Sequence, residues 1–415
     1  MKKIASLLAL LLMLTACNSN INLTATNLMA GVNRNDIAPI IIDNPQEICA
    51  DKTTEIADFS LAVFRKIYGG ENTLISPLSI ISALSMTANG AEKETLSQME
   101  EVFGAEIGGL NEYLHAYKSY LPTSDKYKVS LANSIWFKDQ ESLMVAEKFL
   151  QTNKDYYDAD IYKAPFDDST KNDINAWVNK KTDGQIKKLL EQRPPEDAVM
   201  YLINALSFDA EWQTIYKDTS VGEGEFTAQD GNKKTVDFMQ STEYGYIEVS
   251  NAVGFSKPYA DHKYSFVALL PHEGLAVSDF IASIDGKMLM GAVKNQSNDR
   301  VFFSMPKFTF EYSKEISEIL SELGMKDAFD MNFANFSSLG QLRDGNIFIN
   351  RVIHKTKIAV SEKGTKAGAV TAVELAPISA PREPKTVNLN RPFFFMIVDN
   401  DFSLPIFMGI LNETT

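Results

Sequence analysis

Four histidines, His115, His262, His272 and His354, are the first candidates for acid–base or metal chemistry, and none is placed for it. No two stand at the spacing that brings paired imidazoles to one metal ion. His272 opens the stretch His-Glu-Gly-Leu-Ala, which lacks the second histidine of a zinc protease. There is no Gly-x-Ser-x-Gly elbow, no P-loop and no Gly-rich dinucleotide turn after a strand; Gly222-Glu223-Gly224 is too short to count. A triad gathered from distant positions leaves no local signature. On motifs alone the chain reads as a protein that is not an enzyme and that needs neither metal nor cofactor.

Cysteine offers a different chemistry. Cys17 follows Leu14-Thr15-Ala16, behind Lys2, Lys3 and the apolar run from Leu7 to Leu14. A basic start, a short apolar core and small residues before a cut site make an export signal over residues 1–16. The run is too short to span a bilayer, which needs about 20 residues. Leu-Thr-Ala-Cys resembles the bacterial lipobox, whose cysteine thiol takes a diacylglycerol before cleavage. Cys17 is therefore expected to carry a lipid, which makes the protein an exported lipoprotein of the cell envelope, in the periplasm or on the cell surface facing the extracellular space. Cys49 is then the one remaining thiol, so no intrachain disulfide can form. The formal charge of −14 becomes about −16 once Lys2 and Lys3 are removed (−14 − 2). With no dense Lys/Arg cluster, nucleic acid and heparin-type polyanions are not expected partners.

The segment Glu362–Lys385, EKGTKAGAVTAVELAPISAPREPK, combines two characters. Thr365, Ala367, Ala369, Thr371 and Val373 occupy alternate positions, the period of a strand with one face turned inward. Pro377, Pro381 and Pro384 then follow, and proline is disfavoured inside a sheet. A strand-competent half is joined to a half that reads as exposed loop.

The elements around it read as α+β. At 415 residues, 45% hydrophobic and with 25 phenylalanines, the chain can build one large core. Residues 17–50 are polar and Asn-rich without a sustained period, and read as a lipidated, flexible tether. A helical period starts at Thr53 and stops at Gly69-Gly70; a second helix follows Ser76-Pro77, and Asp173–Leu190 is a third. Val129–Phe137 and Ala198–Phe208 are apolar runs with little alternation, as buried central strands require. Gln229–Lys234 is a hairpin turn. Val301–Phe310, Ile347–Val360, Phe393–Val398 and Pro405–Leu411 read as strands, with a helix near Ser313–Leu323. Strands and helices do not alternate as βαβ units, so residues 51–415 are expected to form a single domain.

Several stretches in order carry a family resemblance: Asn72–Ala91, Ile174–Leu190, Leu202–Trp212, then MPKFTFE, ELGMKDAF, HKTKIAVSEKGTKAGA, NRPFFFMIV and PIFMGIL. Over Thr53–Thr415 the chain resembles a serpin. The resemblance implies about nine helices, three β-sheets with a five-stranded central sheet, and an exposed reactive centre loop, about residues 362–390. It implies a metastable fold whose loop, when a serine protease cleaves it, inserts into the central sheet and traps the protease as a covalent acyl-enzyme. Glu362, Gly364, Thr365, Ala367, Ala369 and Thr371 match the loop hinge. Ser76, Ser79, Asn204 and His354 match the shutter where the sheet parts, Trp212 matches the breach tryptophan, and Lys307 matches the basic partner of Glu362. The scissile bond, sixteen positions after Glu362, falls at Ile378–Ser379 and suits elastase-like proteases. The protein is expected to be a monomer. The alternative within the family is a noninhibitory member acting as a binding or scaffold protein.

The residues fit this implied mechanism. Inward-facing Thr365, Ala367, Ala369 and Thr371 are small enough to pass between parting strands without overfilling the sheet. Inserting roughly fourteen residues would add about a dozen ladder bonds, on the order of 10 kcal/mol at about 1 kcal/mol each. Lys366, Gly368 and Val370 depart from the family's usual residues, but they would point outward after insertion.

Overall fold

The computed structural model describes residues 22–35, 45–121, 124–365 and 385–414. Its centre is the strand Met200–Glu211, almost entirely buried because both faces are covered. Behind it lies the helix Pro77–Ala88, every residue of which is buried within the large core. In front lies the helix Asp168–Lys181, whose Ile174, Trp177 and Val178 pack on Trp136, Tyr201, Ile203 and Ile353.

The central sheet has the expected five main strands, in the order Asp160–Ala164, Tyr127–Lys138, Met200–Glu211, Arg351–Ser361 and Phe308–Glu315. Two short pieces are added. Thr26–Asn27 pairs with the outer edge of 160–164, and Gly364–Thr365 is wedged between the 200–211 and 351–361 strands. The two further sheets implied by the resemblance are continuous as one nine-stranded sheet. They are joined through Lys233–Val249, whose two halves pair with different neighbours. A two-stranded sheet pairs Leu143–Val145 with Gly340–Leu342. Nine α-helices occur among the described residues.

Several sequence expectations need correction. Val301–Phe310 is two strands that break at Lys307, and Ile347–Val360 is a strand only from Arg351. The first helix begins at Pro45, not Thr53, because proline is tolerated in a helix's first turn. The helix expected to reach Leu190 ends at Lys181, where Asp183 and Gly184 take positive φ and turn the chain. The tether is not free throughout: within 17–50, residues 22–35 lie against the domain. Thr24 and Ala25 both donate to the Asp173 carboxylate, at 2.7 and 2.8 Å. Leu28 N–H donates to Ile161 O at 2.8 Å, and Asn35 donates to Asp155 through backbone and side chain. The Met29 side chain is buried. These contacts use an edge strand and two acidic side chains, so they leave no periodic signal in the docking segment itself.

Candidate functional site

The site is the seam between the 200–211 and 351–361 strands. At one end the two are held apart by two residues. Gly364 stands opposite Glu211 and Thr365 opposite Ala210 on one side, with Ser361 and Val360 on the other. Beyond the wedge the strands pair directly and in parallel, from Arg351–Tyr201 to Thr356–Leu206. Gly364 has φ of 150°, and a Cβ there would stand 2.0 Å from Ala210 O, so no other residue fits this turn into the sheet. Thr365 is 1% exposed, and its hydroxyl lies 2.6 Å from that of Tyr259.

An aromatic nest holds the wedge. Tyr259 stacks on Trp212 at 4.3 Å, and Trp212 Nε1 donates to Ser361 O at 2.8 Å. The Trp212 and Tyr216 backbone N–H groups donate to Lys363 O and Glu362 O, each at 3.0 Å. Beneath Trp212 and Tyr216 lies Lys257, 1% exposed, its ammonium 5.5 and 4.6 Å from their ring centres and paired with Glu243. Burial lowers the Lys257 pKa against the pull of Glu243. At the wedge's base, Lys307 Nζ stands 3.2 Å from Glu362 and 3.4 Å from Asp237. Burial acts to lower Lys307, but the two carboxylates outweigh it and hold its pKa above the usual lysine value. Glu362 is held below the usual carboxylate range, chiefly by its own backbone N–H and then by Lys307.

Further along the seam a row of polar side chains crosses it. Asn133, Asn204 and His354 are cross-strand neighbours on three adjacent strands. Asn204 Nδ2 donates to Asn133 Oδ1 at 2.8 Å, and His354 Nδ1 lies 2.5 Å from Asn204 Oδ1. Ser76 N–H donates to His354 Nε2 at 3.1 Å. Because Nε2 accepts, Nδ1 carries the proton, and the ring is neutral. Burial alone pushes its pKa from 6.5 to about 3. Ser76 also caps the 77–88 helix by accepting from Ser79 N–H at 3.3 Å, so the row ties that helix to the sheet. Parting the 200–211 and 351–361 strands must break the His354–Asn204 contact.

The structure thus gathers Glu362, Gly364, Thr365, Trp212 and Lys307 at one end of the seam and Ser76, Ser79, Asn204 and His354 along it. Ala367, Ala369, Thr371, Ile378, Ser379 and Cys17 lie outside the described residues. Sequence reasoning did not assign Tyr259, Asn133 or the Lys257–Glu243 pair. Among the described residues no cluster of His, Cys, Asp or Glu is placed to hold a metal ion.

A family model described as "Serpin (serine protease inhibitor)" matches residues 54–414. The chain belongs to the serpin family. It is similar to the solved structure of a thermophilic serpin, tengpin, in the native state, with 48% identity and a TM-score of 0.88, covering 94% of this chain and 99% of that one. Against tengpin in the latent state the TM-score is 0.77, at 49% identity over 88% and 98% of the two chains. An uncharacterized serpin-like protein of Thermococcus kodakarensis is 28% identical over 85% of this chain and 84% of its own. The greater likeness to a native-state serpin agrees with the seam, where residues 351–356 and 201–206 pair with no strand between them. Membership of the family supports protease inhibition in general, and a protein that is not itself an enzyme.

Proposed function

We propose that this serpin is a suicide-substrate inhibitor that traps elastase-like serine proteases at Ile378–Ser379. The observation that carries the reading is the wedge. Gly364 and Thr365 already occupy the first two positions of an additional strand, paired on both sides. In the reaction the protease serine attacks the Ile378 carbonyl, Ser379 leaves as the free amine, and Ile378 stays esterified to the protease. The segment after Thr365 then continues the strand that the wedge has begun. Each added residue exchanges one direct pairing along the seam for pairings on both of its sides, at about 1 kcal/mol net per hydrogen bond. The helix 168–181, which packs on Ile203 and Ile353 across the seam, has to shift for this to proceed. A protease carried along a strand of this length is displaced and distorted before water can cleave the ester.

The same reading includes export and a diacylglycerol on Cys17, supported by the Leu14–Cys17 sequence. The test mixes the purified protein with pancreatic elastase, chymotrypsin and trypsin and looks for a complex stable on a denaturing gel. An elastase complex is expected, with a large rise in the unfolding temperature of the cleaved inhibitor. Cleavage without a complex and without that rise would instead identify a noninhibitory binding or scaffold serpin.

A further inference from the structure

Met144, Met331 and Phe333 are the three most exposed large apolar side chains among the described residues, at 61, 61 and 67%. They stand together. Met144 and Phe333 line one cleft, and Met331 belongs to the same turn as Phe333, a turn held by Asn346 donating to Met331 O and Ala334 O. Scattered apolar residues on a surface need no explanation, but a cluster of the most exposed ones does.

The cluster sits at a defined pole. The 127–138 strand begins with Tyr127 opposite Ala210, the residue that also faces Thr365, and ends with Phe137 opposite Met200. Its 12 residues span about 40 Å at about 3.3 Å each. Leu143–Val145 follows, so the apolar pole lies at the far end of the central sheet from the loop hinge.

The docked N-terminal segment passes beside this pole. Thr26 pairs with Lys163, and Lys163 Nζ donates to Leu143 O at 2.8 Å, next to Met144. Cys17 is five residues before Asn22, the first described residue, a reach of at most about 18 Å. If residues 17–44 were an undocked tether, the reach to Pro45 would be about 90–100 Å. The docked segment therefore turns a long leash into a short one and fixes the side of the molecule from which it leaves.

We propose that the pole bearing Met144, Met331 and Phe333 is a bilayer-contact surface, on which the protein sits when anchored through Cys17. The proposal rests on the lipidation included in the proposed function. Exposed Arg343 and Asp344, with half-buried Asp330, give this pole both signs of charge, so the attraction is apolar seating under a short leash rather than binding to anionic headgroups. Seated in this way, the protein points its hinge and reactive loop away from the membrane, towards arriving proteases.

The experiment uses the full chain, exported and processed, in phosphatidylcholine vesicles that contain acyl-brominated phosphatidylcholine. The native tryptophans, Trp136, Trp177 and Trp212, are all buried, so Phe333→Trp adds the one exposed reporter. Floating vesicles should carry a protein whose mass includes the diacylglycerol. The added emission should shift to the blue and be mostly lost to bromine, while Cys17→Ser in the same background shows neither effect. Met331→Trp repeats the reading at a second exposed position should Phe333→Trp alter the unfolding temperature. A floating, lipidated protein whose added tryptophan is unquenched overturns the seating alone. A blue shift without bromine quenching also overturns it, and assigns the pole to a second copy or another protein. A mature mass without the lipid overturns the anchor, and the seating with it.

Discussion

The hydroxyls of Thr365 and Tyr259 lie 2.6 Å apart in a fully buried site, joining the loop hinge to the aromatic nest at the end of the seam. Gly364 and Thr365, the start of the segment proposed to insert, are thus already seated in the sheet. Replacing Thr365 by arginine would place an unpaired guanidinium where a hydroxyl now has its partner, at a cost of several kcal/mol. The hinge should unseat and insertion should stall, so cleavage overtakes trapping. Thr365→Arg is expected to turn the inhibitor into a substrate, read as a many-fold rise in the stoichiometry of inhibition. Tyr259→Phe, which leaves only the Thr365 hydroxyl unsatisfied, should cost about 1–3 kcal/mol of native stability. Unchanged trapping by Thr365→Arg would refute the role of the hinge.

His354 gives the seam a pH dependence of fixed sign. Its folded pKa, about 3, is below the unfolded value of 6.5. The unfolded chain therefore binds a proton first as pH falls, and stability that is fully present above pH 6.5 is lost progressively down to about pH 3. Between pH 7 and pH 5 the loss at this residue is about 2 kcal/mol. Denaturant unfolding of the native form at the two pH values should show it, and His354→Asn should remove most of the difference. An equal loss in wild type and variant would place the pH dependence elsewhere.

The buried pair under Trp212 should respond asymmetrically. Glu243→Gln leaves the Lys257 ammonium, 1% exposed, without its counter-charge, which costs about 3–5 kcal/mol. Lys257→Met puts a flexible apolar chain of similar length among Trp212, Tyr216 and Phe303, and strands a Glu243 carboxylate that is 16% exposed and still accepts from Ser241, so its loss should be smaller than that of Glu243→Gln. Thermal unfolding of the two single variants and the double variant checks this. The double variant should regain what Glu243→Gln loses, and equal losses in both single variants would contradict the argument.

The sequence carried the seam's own residues better than their neighbours. Glu362, Lys307, Ser76, Asn204 and His354 were legible only through the serpin resemblance, because each sits in a stretch that matches one of the family's motifs. Tyr259 and Asn133 were not. Tyr259 stands 106 residues from Thr365 in a turn with no motif, and only the fold brings the two hydroxyls together. Asn133 reads as one polar residue within an apolar strand until its register opposite Asn204 is known. The docked 22–35 segment was hidden for a different reason. Its two-residue strand and its contacts with Asp173 and Asp155 take their order from the domain, whereas periodicity reports only order a segment can supply itself.

The scissile bond sets the choice of target. In the proposed reaction, strand growth from the Thr365 wedge ties the distance a protease is carried to the number of residues between Thr365 and the cut. Sixteen positions beyond Glu362 is Ile378, whose β-branched side chain suits a shallow apolar pocket and offers no cation to a pocket built around a buried acid. Pro377 and Pro381 flank it and reduce the conformational freedom lost when a protease docks. Arg382 is the competing bait for trypsin-like enzymes. A cut there lengthens the inserting segment by four residues, and the slack leaves the protease less distorted, so trypsin should mostly cut and escape. Ile378→Arg should therefore move covalent trapping from elastase to trypsin without altering the unfolding temperature of the uncleaved protein. Mass spectrometry of the peptide released from each complex decides the register. Ser379 must be its first residue, and a peptide that begins at Glu383 in a stable trypsin complex would show that Arg382 is the working bond.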